Sequence, residues 1–88
     1  MLKITTTTDA YWTTLELEGK LAGAWVQELE RCWREILPGR SVRISLKAVT
    51  FVDDDGKRLL ARLHECGAEL KAEGCMTKCI VQEITGEN

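Results

Sequence analysis

Three consecutive carboxylates, Asp53, Asp54 and Asp55, followed by Gly56, Lys57 and Arg58, are the residues of this chain best placed to do chemistry. Carboxylates can hold a hard cation such as Mg²⁺ or accept phosphate. Each use needs acids converging from more than one segment, and the sequence offers no second segment. The remaining use is at a helix start. There, unpaired backbone N–H groups and the helix dipole favour negative charge, and Asp54 or Asp55 can cap the helix through a side-chain oxygen. Lys57 and Arg58 follow closely enough to neutralise part of the charge.

Other reactive residues are sparse. Four cysteines (Cys32, Cys66, Cys75 and Cys79) and one histidine, His64, are present. No C-x-x-C pair occurs. A zinc site would have to combine His64, Cys66, Cys75 and Cys79, and reduced cysteines acting as buried or half-buried small hydrophobes are the better account. Ser41 and Ser45 lie in a strand pattern with no adjacent base, and no Walker loop or Gly-rich dinucleotide fingerprint occurs. The expectation is a protein that is not an enzyme and has no cofactor.

The elements that must position the acids can be read from periodicity. Leu2, Ile4 and the Thr5–Thr8 run favour extended chain, Asp9-Ala10 is a turn, and Tyr11–Glu18 resumes as a second strand that Gly19 ends. The two strands should pair antiparallel, with the first at a sheet edge. Ala22, Val26, Leu29, Trp33 and Ile36 form a helical apolar stripe, stopped by Pro38-Gly39. Trp25 and Cys32 lie at its margin, and Glu30 and Arg34 are spaced to pair. Val42, Ile44 and Leu46 alternate with polar residues as a strand, and Lys47–Thr50 is a connector. A second helix after the acids buries either Leu59, Leu63 and Cys66 or Leu60 and Gly67, with His64 at the surface or half-buried. Ala68–Ala72 reads as a short strand, and Cys75–Ile84 as a last helix with Met76, Cys79, Ile80 and Ile84 inward.

Composition bounds the function. The chain has 88 residues, a net charge of −2, 44% hydrophobic and 30% charged residues. That suits one small domain burying roughly 60% of its unfolded surface. No basic stripe supports nucleic-acid binding. No apolar run approaches the roughly 20 residues of a membrane span, so direct membrane insertion is not expected. The N-terminus lacks a secretory apolar region, and a cytoplasmic location is expected.

The ordered set of motifs resembles the STAS domain, the sulfate transporter and anti-sigma factor antagonist family. Val52-Asp53-Asp54-Asp55-Gly56 is similar to the family's turn of apolar residue, Asp, Ser, Ser and Gly. Leu46–Phe51 resembles the segment before it, Leu17-Glu18-Gly19-Lys20-Leu21 the segment before the first helix, and Gly67-Ala68-Glu69-Leu70 the start of the last strand. The likeness runs from about Leu15 to Ile84.

The resemblance implies an α/β fold, a four-stranded mixed sheet in the order β-β-α-β-α-β-α with helices packed on it, and a single domain over 1–88. It also implies a bacterial regulatory module in signal transduction and transcription control. Such a module would bind an anti-sigma factor, a histidine-kinase-like ATPase or a STAS-containing complex. The implied contact residues are Asp53, Asp54, Asp55, Gly56, Lys57 and Arg58. Asp55 stands where regulatory members carry a phosphorylated serine, and Lys57 replaces an apolar residue. Asp55 is therefore either a fixed charge resembling phosphoserine or the mark of a branch that signals differently. Two other family roles are implied as alternatives: a structural subunit of an ABC-type lipid-transport complex, which needs no phosphorylated serine and so suits Asp54-Asp55, and a small-ligand sensor. Three aspartates repel anions, which ranks the sensor lowest.

Overall fold

The computed structural model describes residues 2–36, 39–72 and 75–85, apart from the side chains of 75–77 and 85. The elements are β1 (Leu2–Thr8), β2 (Trp12–Leu21), α1 (Ala24–Arg34), β3 (Ser41–Val52), α2 (Asp54–Glu65), β4 (Glu69–Lys71) and α3 (Cys75–Thr85). They build a four-stranded mixed sheet in spatial order β1-β2-β3-β4. β1 and β2 pair antiparallel, while β2–β3 and β3–β4 are parallel. This is the expected α/β order, with β1 at an edge.

Strand alternation decides where the helices go. Leu15 and Leu17 of β2 and Val42, Ile44 and Leu46 of β3 are buried on one face beneath Val26, Leu29, Leu59, Leu60, Leu63 and Ile80 of the helices. The other face carries Thr14, Glu16, Arg43 and Ser45, half-buried or exposed. Arg43 lies over the Trp12 ring, 4.4 Å from its centroid, and its Nε is 3.7 Å from Glu69 Oε2. The turn after β1 forms as expected. Asp9 Oδ1 accepts from the N–H groups of Tyr11 and Trp12 at 2.9 and 2.7 Å. Arg40 ties this turn to the sheet, donating to Thr13 Oγ1 at 2.9 Å and to the carbonyls of Asp9 and Trp12.

Several boundaries differ from the sequence reading. Gly19 does not end the second strand. β2 runs on to Leu21, with Gly19 at φ 106 beside one of two irregularities in its pairing with β3. Lys47–Thr50 is not a connector but the second half of β3. The irregularities change the spacing of inward residues from Val42, Ile44 and Leu46 to Val49 and Val52, so simple alternation is lost. α1 stops at Arg34, before Gly39; Pro38 lies outside the described residues. α2 buries Leu59, Leu60 and Leu63 together, while Cys66 is exposed. Cys79 is exposed rather than inward, and Cys32 is half-buried. Met76's side chain lies outside the described residues. The i,i+4 pair forms as expected: Arg34 Nη2 lies 2.5 Å from Glu30 Oε1.

Candidate functional site

The three aspartates sit where β3 gives way to α2, but they do three different things. Asp53, not Asp54 or Asp55, caps the helix. Its backbone is extended, and its Oδ1 accepts the Gly56 N–H at 2.7 Å. Its Oδ2 accepts the Gly23 N–H at 2.9 Å, across from the start of α1. Its own N–H donates to the Leu21 carbonyl at 3.1 Å. One residue thus joins the end of β2, the start of α1 and the start of α2. The Gly23 and Gly56 N–H groups, in that order, hold the Asp53 carboxyl below the usual carboxylate range.

Gly56 is required by close approach. A Cβ there would stand 2.8 Å from the Leu21 carbonyl oxygen and 2.9 Å from Val52 Cγ1. Side-chain-free backbone lets α2 begin directly against the end of β2, which keeps both Asp53 hydrogen bonds short.

Asp54 and Asp55 occupy the first turn of α2 and are exposed. Asp55 Oδ1 is 2.7 Å from Arg58 Nη1, with the two side chains 70% and 76% exposed, so water screens the pair. Lys57 turns away from the acids, with its Nζ 3.9 Å from Glu83 of α3. Neutralisation of the triplet therefore falls to Arg58.

Asp55 and Arg58 line one end of a groove of about 440 Å³ between α1 and α2, with Val26 and Leu59 in its wall. Farther along, Glu30 takes Arg34 on one carboxylate oxygen and Arg62 on the other, the latter at 2.9 Å. The sequence reading found Glu30–Arg34 but missed Arg62, Gly23 and the Leu21 carbonyl. Only Gly23 left a signal, as a glycine between the first two residues of the apolar stripe, Ala22 and Val26.

No group of three His, Cys, Asp or Glu side chains among the described residues converges on a metal position. The geometry gives the reason: Asp53 turns inward to two N–H groups while Asp55 turns to Arg58. Of the conceivable zinc set, Cys66 and Cys79 are exposed, His64 is half-buried with its Nδ1 unpaired, and Cys75's side chain lies outside the described residues. No helix among the described residues is long and apolar enough to cross a membrane.

No protein-family model and no curated protein matches the chain. Solved structures do. An anti-sigma factor antagonist from Mycobacterium paratuberculosis is 19% identical, with a TM-score of 0.81 over 98% of this chain and 79% of that one. An antisigma-factor antagonist STAS domain from Rhodobacter sphaeroides is 21% identical, with a TM-score of 0.59 over 83% and 86%. The crystal structure of Mglu is 24% identical with a TM-score of 0.65 over 80% of this chain, which spans only 19% of the Mglu chain. The fold is that of the STAS domains of anti-sigma factor antagonists.

Proposed function

We propose that this chain is a non-enzymatic regulatory module that binds a protein partner through the first turn of α2 and the adjoining groove. Asp55 acts there as a permanent charge in place of a phosphorylatable serine. The observation that carries the reading is the division of labour among the aspartates. Asp53 is committed to two backbone N–H groups, whereas Asp54 and Asp55 are exposed and Asp55 lines the groove. A cap alone needs only the first.

The partner, by resemblance, is an anti-sigma factor of the histidine-kinase-like ATPase type or a STAS-containing signalling complex, working in the cytoplasm. A fixed carboxylate carries less charge and fewer acceptor oxygens than phosphoserine. The module therefore sits near the phosphorylated end of such a switch without being switchable.

The test is capture of partners from the native cell lysate by the wild type and by Asp55→Ser side by side, with bound proteins identified by mass spectrometry. A kinase-like ATPase retained more strongly by the serine variant, and phosphorylating it from ATP, supports a charge-locked switch. Equal retention by both forms refutes the role given to Asp55. Retention of nothing by either form refutes the binding module.

A further inference from the structure

The two edges of the sheet are built differently. β4 is only three residues long and ends on Lys71, both features that discourage further pairing. β1 is seven residues long and pairs with β2 without a register break. It contains no proline, and its only charge is Lys3 at one end. Thr5, Thr6, Thr7 and Thr8 are all exposed, and threonine suits a pleated strand. The outer edge of β1 thus presents a longer run of backbone N–H and C=O groups, guarded only by Lys3 at one end.

From this asymmetry we infer that the outer edge of β1 pairs antiparallel with β1 of a second copy of this chain, joining the two sheets about a two-fold axis. A second copy suits this edge because the strand is complementary to itself. With Thr6 opposite Thr6 on the axis, Thr5 faces Thr7 and Ile4 faces Thr8. Lys3 then faces Asp9, which lies just past the strand. Both residues are exposed. Lys3 Nζ lies 3.9 Å from Glu18 Oε2, and Asp9 Oδ1 accepts the Tyr11 and Trp12 N–H groups, which leaves Asp9 Oδ2 to face the ammonium. Each dimer thus sets two opposite charges together, and no like charges meet. The alternation of faces is preserved, because every facing pair has the same parity. Ile4, half-buried at the margin of the core, gains a neighbour on its outer side.

The axis runs perpendicular to the sheet. Both helix layers stay on one side, and the two copies of β3 run in opposite directions. The Asp53–Asp55 turns then stand at opposite ends of the joined sheet, each free to engage a partner. This inference does not rest on the proposed function, since it concerns the β1 edge and not the turn between β3 and α2.

The test is sedimentation equilibrium of the chain from about 1 µM to about 1 mM, a range that spans micromolar to millimolar association. The wild type should shift from monomer to dimer within it. Thr6→Lys sets two ammonium groups against each other on the axis, and Lys3→Glu turns each attractive pair repulsive. Each should raise the dimer Kd at least about tenfold, since apposed like charges disfavour association. Far-UV circular dichroism should stay at wild-type values for both, and the thermal midpoint at low concentration should stay there for Thr6→Lys, whose side chain is exposed. Lys3→Glu also sets a carboxylate opposite Glu18 within the chain, so its midpoint should fall slightly. A wild type that remains monomeric throughout overturns the inference. So does a dimer whose Kd neither substitution changes.

Discussion

Replacing Gly56 with alanine sets two effects of known sign against each other. Alanine in a helix gains about 0.5–1 kcal/mol over glycine through reduced backbone entropy. Against this, the added methyl would meet the Leu21 carbonyl oxygen at 2.8 Å, Val52 Cγ1 at 2.9 Å and Asp53 Oδ1 at 3.2 Å. The first is backbone, tied to the Asp53 N–H, and cannot swing aside. The second belongs to a buried core residue. Relief requires α2 to lift off the end of β2, which stretches the Asp53–Gly56 contact. Overpacking of this kind costs about 1–3 kcal/mol. The helix gain offsets only part of it; the middle of each range leaves a net loss of about 1 kcal/mol. For a domain of this size, that lowers the thermal midpoint by roughly 4–8 °C. Thermal and urea unfolding followed by circular dichroism measures it, with Arg58→Ala as an exposed control on the same helix. A Gly56→Ala protein as stable as the wild type would refute the close-approach argument, and with it the account of why α2 starts where it does.

Acid should act on the same clamp. A carboxyl held below its ordinary value, as Asp53 is relative to 3.8, contributes stability that is present above that value and lost as pH falls through the folded-state value. The midpoint gap between wild type and Asp53→Asn should therefore be widest near neutrality and close below pH 3.8; a gap constant with pH would contradict the assignment. Leu60→Ala, at a fully buried site beneath α2, should cost about 2–5 kcal/mol in urea unfolding. A loss under about 1 kcal/mol there would mean α2 is not seated on the sheet as described. Arg40→Ala removes charged hydrogen bonds to Thr13 and to the β1–β2 turn. It should destabilise by about 1–3 kcal/mol, with amide exchange rising first in that turn.

The parts of the fold that were legible are those where one local period holds. The stripe Val26, Leu29 and Trp33 marks α1, and Val42, Ile44 and Leu46 mark the start of β3, because each set keeps its spacing against a single neighbouring surface. The second half of β3 was illegible for a physical reason. The pairing with β2 slips between Glu16 and Glu18 and again between Gly19 and Lys20. Each slip changes which residues face inward, so Lys47-Ala48-Val49-Thr50 loses its alternation while remaining strand. The exposure of Cys66 and Cys79 was equally hidden. Each lies close in sequence to a buried residue, and only the seating of α2 and α3 decides which side faces water.

The aspartates show the same limit at the site itself. Asp53, Asp54 and Asp55 are chemically identical, and helix-capping chemistry alone accepts any of them. What separates them is the Gly23 N–H, thirty positions away in sequence. It reaches only the carboxylate at the end of β3. With a glycine at 56 to admit the close contact, that donor fixes Asp53 as the clamp and leaves Asp55 on the outer turn with Arg58. The functional reading follows from this order. Because the clamp is complete without Asp55, a substitution there tests binding rather than folding. Asp55→Ser should leave the thermal midpoint close to wild type while changing partner capture. If instead it lowers the midpoint as far as Asp53→Asn does, Asp55 belongs to the scaffold and the surface assigned to it has no independent role.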